Sequence, residues 1–118
     1  MMKCKDFSVG DNVIIHRTRS GHITEDKVIK VGRKYVTTER GYRFNEDKSC
    51  EFSLANRYEY GECFLLFKDN NSMTEHQNKR DALSKIRDMI GRYQLEHYKK
   101  IYIDKVLDIL CEGAKDLQ

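Results

Sequence analysis

The fold predicted for this sequence depends most on residues 27–44, KVIKVGRKYVTTERGYRF. Within it, Val31-Gly32-Arg33-Lys34-Tyr35 has the glycine and polar residues of a tight hairpin turn. Residues 34–39 are rich in β-branched and aromatic side chains, which favour a strand. Arg40-Gly41 then turns the chain, and Tyr42-Arg43-Phe44 alternates in polarity like a further short strand. We therefore expect three short strands joined by glycine-centred turns.

Strand patterns continue on both sides of this segment. Upstream, Val9-Gly10-Asp11 forms a turn signal before an apolar strand at residues 13–16, and a second strand is expected over residues 23–31. The alternation of that second strand is imperfect, which indicates a β-bulge. Downstream, residues 51–54 and 63–67 have the composition of short strands. Five or six such strands within roughly 60 residues predict a small SH3-like antiparallel β-barrel.

The composition changes at residues 68–71, and a helical segment follows. Ser72 and Glu75 have the spacing of a capping box, so a first helix is expected from Ser72 to about residue 93. A second helix is expected over residues 99–112. The predicted class is α+β: an SH3-like barrel in residues 1–68, followed in residues 69–118 by a two-helix C-terminal segment, as a helical hairpin or a tail packed on the barrel.

Both predicted helices have one apolar face. Helices this short need a surface to cover that face, which is the other helix, the barrel or a partner. A monomer and a homodimer both remain open. The apolar positions are Leu83, Ile86, Met89, Ile90 and Tyr93 in the first helix, and Ile103, Val106, Leu107 and Leu110 in the second.

Positive charge is concentrated in the predicted barrel. The chain has a formal net charge of +3, and residues 69–118 contain nine basic and nine acidic side chains. Residues 27–43 contain six basic side chains and one acidic side chain, Glu39. Such a stretch attracts phosphates or an acidic protein surface, although a solvated face has the same composition.

Basic residues interleaved with aromatic residues indicate a binding surface, because arginine and lysine neutralise phosphates while tyrosine stacks on exposed bases. Tyrosine next to acidic residues, as at residues 58–60, also suits a protein interface. Some of these aromatic side chains are equally compatible with a place in the core. The candidate binding residues are Arg17, Arg19, Lys30, Arg33, Lys34, Tyr35, Arg40, Tyr42, Arg43, Tyr58 and Tyr60.

The motifs that carry catalysis or metal binding do not occur in the sequence. The four cysteines, Cys4, Cys50, Cys63 and Cys111, lack metal-knuckle spacing, and the histidines are scattered. No nucleophile motif and no glycine-rich phosphate loop occur. No secretory signal and no apolar run of about 20 residues are present. We therefore expect no enzyme activity, no cofactor, no metal and no membrane span, in a cytoplasmic protein with reduced thiols.

Several segments resemble small phage and prophage β-barrel-domain proteins. The resemblance spans residues 9–110, and the Asp69-Asn70-Asn71 junction departs from it. It implies a barrel with two C-terminal helices, encoded by a mobile element and present inside a bacterial host cell, and it implies no particular activity. The segments that carry it are Val9-Gly10-Asp11, Lys30-Val31-Gly32-Arg33-Lys34-Tyr35, Tyr42-Arg43-Phe44, Ser84-Lys85-Ile86-Arg87-Asp88 and Val106-Leu107-Asp108-Ile109-Leu110.

Three hypotheses of function follow. The leading one is a non-catalytic accessory or anti-defence protein that binds and blocks host nucleic-acid machinery, such as a nuclease or a CRISPR effector complex. The second is a module that binds DNA or RNA directly through the basic barrel surface. The third is a structural or assembly protein that oligomerises through its helices.

Overall fold

A computed structural model describes residues 1–57 and 62–117 of the chain. A short 3-10 helix, Cys4–Asp6, precedes six strands, and a second 3-10 turn, Leu95–His97, separates two α-helices. The strands are β1 (Asn12–Arg17), β2 (Ile23–Val31), β3 (Val36–Thr38), β4 (Arg43–Phe44), β5 (Ser53–Arg57) and β6 (Cys63–Phe67), and the helices are α1 (Asn70–Arg92) and α2 (Lys100–Lys115).

The six strands form one antiparallel sheet that is almost closed into a barrel. Their order is β4-β3-β2-β1-β6-β5, so β4 and β5 are the two edges. A bridge between Asn45 and Ala55 joins these edges, with both N–H···O hydrogen bonds at 2.9–3.0 Å. The predicted α+β class, a small antiparallel barrel followed by two helices, is confirmed.

Strand β2 bends around the barrel and pairs with two neighbours. Its first part pairs with β1, and its second part pairs with β3. The register shifts between Val28 and Lys30, at the irregularity that the imperfect alternation predicts. A bulge of this kind increases local twist and helps a short sheet to close.

The hydrophobic core lies inside the barrel. Val36, Phe44, Leu54 and Leu66 have no solvent-exposed surface, and every buried residue in the described part of the chain lies before Lys68. A second cluster, containing Leu65 and Phe67, is covered by Met73 from the first turn of α1. The beginning of α1 is therefore part of the barrel's packing.

The chain divides into two compact units, Met1–Lys79 and Arg80–Gln118. The strands end at Phe67, but the boundary between the units falls within α1. Lys79 donates a 2.8 Å hydrogen bond to Glu51 within the first unit. No described helix is long and apolar enough to cross a membrane.

Helix α1 begins two residues before the predicted start at Ser72. The reason is Asp69, whose Oδ1 accepts the Ser72 backbone N–H at 2.8 Å and so caps the first turn. This hydrogen bond is the main cause of the lowered pKa of the Asp69 carboxyl. The acceptor at the helix start is therefore Asp69, and the expected Ser72–Glu75 capping box does not form the N-terminus.

Candidate nucleic-acid interface

One row of polar side chains crosses β2, β3 and β4 on the outside of the barrel. Lys30 is paired with Thr37, and Thr37 is paired with Arg43. The adjacent row contains Val36 and Phe44, which are completely buried. Because successive side chains of a strand point to opposite faces, Lys30, Thr37 and Arg43 point outward.

Tyr35 stands directly before β3 and places its ring beside two cations. The Lys34 Nζ atom lies 5.4 Å from the centre of the Tyr35 ring, and the Arg43 Cζ atom lies 4.9 Å from it. These are cation–π distances, so the contacts hold the half-buried ring in place. We call the surface formed by Lys30, Arg33, Lys34, Tyr35, Thr37 and Arg43 the Tyr35 face.

The turn that presents Tyr35 is constrained at Gly32. The Gly32 N–H donates a 2.8 Å hydrogen bond to the Tyr35 carbonyl oxygen. A Cβ atom on residue 32 would lie 3.3 Å from that oxygen, tighter than an ordinary contact. Glycine therefore permits the close approach that closes the turn.

A polar groove adjoins the Tyr35 face where β4 meets β5. Its volume is about 340 Å³. Arg57 is fixed there, because its Nε donates to Asp47 at 2.7 Å and its Nη2 donates to the Ser49 hydroxyl at 2.9 Å. The groove therefore has donors and acceptors at one side of the Tyr35 ring. Its lining residues are Tyr35, Arg43, Asn45, Glu46, Asp47, Asn56 and Arg57.

The charges of the groove and of the Tyr35 face differ. In the groove, Arg57 pairs with Asp47, and hydrogen bonds from Ser49 and then Arg57 lower the pKa of the Asp47 carboxyl. Arg33 and Lys34 at the hairpin tip are exposed and form no ion pair with any described residue. The free positive charge therefore lies on the Tyr35 face, while the Arg57–Asp47 pair is internally neutral.

Two predicted binding residues lie away from the Tyr35 face. Arg17 forms a 3.2 Å ion pair with Glu62 and places its guanidinium 4.8 Å from the centre of the Phe64 ring. Arg19 is exposed on the β1–β2 turn. That turn and the β2–β3 turn that carries Lys34 are at opposite ends of β2, so neither arginine joins the Tyr35 face.

Arg40 and Tyr42 occupy the turn between β3 and β4. Tyr42 packs edge-to-face on Phe64, with ring centroids 5.3 Å apart, and adjoins the core. Arg40 lines a separate groove of about 410 Å³ together with Glu25, Asp26 and Glu39, so acidic side chains surround its charge. Tyr58 and Tyr60 lie outside the described residues.

Sequence reasoning missed five residues of the groove, which are Asn45, Glu46, Asp47, Asn56 and Arg57. Arg57 directly precedes Tyr58 in the sequence, so the two form a basic–aromatic pair like Lys34 and Tyr35. That signal could have identified Arg57. The two asparagines have no comparable signal, because they reach the groove through the pairing of distant segments.

The described residues contain no cluster that could hold a metal ion, and two of the cysteine thiols are buried in surroundings that disfavour the thiolate. Within residues 1–57 and 62–117, no group of three or more His, Cys, Asp or Glu side chains is placed to hold a metal ion. Burial raises the pKa of the Cys4 and Cys63 thiols, which favours the protonated form of both. The side chains of the Tyr35 face suit ionic, hydrogen-bonding and stacking contacts.

The fold and this surface define a small β-barrel-domain protein with a basic, aromatic outer face. The chain belongs to the phage ProQ C-terminal-like domain family, whose sequence model matches residues 1–115. The expected relationship to small phage barrel proteins is thereby confirmed, and the domain is phage-associated. Searches of curated proteins and of solved structures returned no match.

Proposed function

We propose that the protein binds single-stranded nucleic acid through the Tyr35 face, and that it does so without catalysing a reaction. The observation that carries the proposal is the Tyr35 ring flanked by Lys34 at 5.4 Å and Arg43 at 4.9 Å. Proteins that bind single strands combine an aromatic ring for base stacking with cations that follow the backbone. The Tyr35 face contains both elements within one hairpin and its neighbouring strand.

The base and the phosphates contact different parts of this surface. Lys30, Arg33 and Lys34 form the exposed positive part, which suits phosphates. The groove contains Glu46 and Asp47, whose charges disfavour a phosphate there. A base therefore stacks on Tyr35 with its polar edge toward the groove.

The groove also favours a single strand over a duplex. Its volume of about 340 Å³ is near the lower end of the range for small-molecule sites, about 300–1,000 Å³. A site of this size accommodates one base or nucleotide. In a duplex the base faces are already stacked on each other, so Tyr35 has no exposed base to contact.

The test is fluorescence anisotropy of labelled single-stranded RNA and DNA at about 50 mM salt, where phosphate contacts are strong. The triple variant Arg33→Glu, Lys34→Glu, Arg43→Glu is expected to abolish binding. The matched control makes the same three charge reversals at Arg80, Lys85 and Arg87, which are exposed on α1. Absence of a complex with the unchanged protein, or equal losses in both triple variants, would refute the proposal.

A second candidate is an anti-defence protein that blocks host nucleic-acid machinery, such as a nuclease or a CRISPR effector complex. The observation that favours it is membership of a phage-associated family. The Tyr35 face supports it as well, because the same cations would contact a nucleic acid that such a complex holds.

This candidate has its own test. Phage plaque counts on a host with an active defence system should rise when the unchanged protein is expressed, and a pull-down should recover a defence component. The Arg33, Lys34 and Arg43 triple variant should lose both effects. Unchanged plaque counts together with an empty pull-down would exclude the anti-defence role and leave nucleic-acid binding untouched.

A further inference from the structure

The C-terminal unit contains two helices and no buried side chain among its described residues, 80–117. Fourteen of its large apolar side chains are at least 38% exposed. Helices of this length depend on packing of their apolar faces for stability. Within the unit itself, therefore, nothing covers these apolar side chains.

The exposed apolar side chains form a groove and an adjoining ridge. The groove has a volume of about 220 Å³. Its walls include Ile86, Met89 and Ile90 from α1 and Tyr102, Ile103 and Val106 from α2. Beside the α2 wall, Leu107 and Leu110 are 58% and 65% exposed and form the ridge. At about 100° per residue, they lie on the same side of α2 as Ile103 and Val106.

The apolar arc of α2 is wider than one neighbouring helix requires. From Ile109 through Val106 to Leu107 it covers about 160° of the helix circumference, whereas a stripe of about 100° is enough to face a core. The groove uses the part of the arc that contains Tyr102, Ile103 and Val106. Leu107 lies about 40° beyond that part of the arc, and Leu110 lies within it but further along the helix axis, so both side chains are available to a second pair of helices.

The exposed apolar area is also sufficient for a stable interface. Nine of the fourteen side chains line the groove or form the ridge, and at roughly 100 Å² for each half-exposed side chain they provide on the order of 900 Å². A standard protein interface buries about 800 Å² on each partner. Patches on monomeric proteins seldom exceed about 300–600 Å².

We infer that the surface that covers this unit is a second copy of the same chain. Residues 80–118 contain eight basic and seven acidic side chains, so two copies approach without strong repulsion. Three charge pairs, Arg92–Asp88, Lys100–Asp104 and Lys115–Glu112, are satisfied within their own helices. A nucleic acid or an anionic membrane needs an excess of basic residues, which this unit lacks.

The groove and the ridge are self-complementary. In a two-fold dimer, the Leu107 and Leu110 ridge of each copy enters the groove of the other, as an isologous interface requires. The result is a four-helix bundle, the usual arrangement when two helical hairpins cover each other. This inference does not depend on nucleic-acid binding at the Tyr35 face.

Sedimentation velocity of the full-length protein over a concentration series tests the inference, and a dimer that dissociates on dilution is expected. The variant Leu107→Lys, Leu110→Lys should weaken dimerisation at least about 100-fold, because two buried leucines per copy become charged. Both side chains are exposed in the single chain, so its fold should persist. The matched control is Asp108→Lys, which makes the same change in charge on the polar side of α2 and should leave the dimer intact.

Amide hydrogen exchange provides a second measurement. Protection of residues 86–110 should rise with protein concentration in the unchanged chain and not in the leucine variant. A monomer at every concentration, with these helices protected, would overturn the inference by showing that the chain covers its own apolar face. A dimer that the leucine variant leaves unchanged would overturn it equally.

Discussion

Tyr35 is the residue on which the proposed binding depends most directly, since its ring provides the stacking surface. The substitution Tyr35→Ala should weaken single-strand binding by roughly 5- to 150-fold, because stacking on one aromatic ring contributes about 1–3 kcal/mol. Tyr35→Phe keeps the ring and should bind within about twofold of the unchanged protein. Anisotropy titrations of both variants check this. Equal affinities for the alanine and phenylalanine variants would show that the ring is not a contact.

Asp47 is a residue-scale determinant of stability. Its carboxylate accepts the Ser49 N–H at 2.9 Å, the Ser49 hydroxyl at 2.7 Å and Arg57 Nε at 2.7 Å. Hydrogen bonds to a charged group contribute about 1.5–3 kcal/mol when well sheltered, and partial exposure lowers this. Asp47→Asn should therefore lower the free energy of unfolding by about 1 kcal/mol at pH 7, as measured by urea denaturation.

The effect of Asp47 should depend on pH in a defined direction. The pKa of the Asp47 carboxyl is lowered in the folded protein, chiefly by the Ser49 hydroxyl. The stabilisation is then complete above the unfolded pKa, about 3.9, and is lost as the pH falls through the folded pKa. The stability difference between the unchanged protein and Asp47→Asn should shrink between pH 5 and pH 2. A constant difference across this range would contradict the assignment.

At the scale of single elements, one side chain stabilises the N-terminus of α1. Asp69 caps the helix through the 2.8 Å hydrogen bond from Ser72, and the helix begins at Asn70. Asp69→Ala should lower the free energy of unfolding by about 1 kcal/mol, whereas Asp69→Asn keeps the acceptor and should lose less. Thermal or urea unfolding of the two variants measures the difference. Ser72→Ala should have a smaller effect, because the Ser72 backbone N–H makes the cap.

The elements also show where local patterns are informative and where they are not. Strands β2 and β6 cover the ranges that the sequence predicts, residues 23–31 and residues 63–67. Strand β5 covers Ser53–Arg57, later than the expected residues 51–54, because its pairing with β6 begins at Ser53, opposite Phe67, the last residue of β6. Apolar alternation reports which residues face a core, but it does not report where the pairing with a neighbouring strand begins.

At the scale of the whole molecule, the uneven distribution of charge makes a quantitative prediction. If Lys30, Arg33 and Lys34 each neutralise one phosphate, the logarithm of the binding constant should fall against the logarithm of salt concentration with a slope of about −2. Lys30→Gln should reduce the size of that slope by about 0.7. Arg19→Gln, which changes an exposed arginine on a different turn, should leave it unchanged. Anisotropy titrations between about 50 and 200 mM salt provide both slopes.

The sequence signals used for prediction are turn residues, apolar alternation and local composition, and each depends on a few neighbouring residues. They were enough to predict the strands, the bulge of β2, the two helices and the basic hairpin around Arg33 and Lys34. The same hairpin, residues 31–35, remains the main part of the candidate site. Three features could not be predicted in this way: the Asn45–Ala55 bridge, the groove beside Tyr35 and the packing of the Tyr42 ring on Phe64. Each of them joins segments more than nine residues apart, so it depends on strand register and barrel closure, which no local pattern encodes.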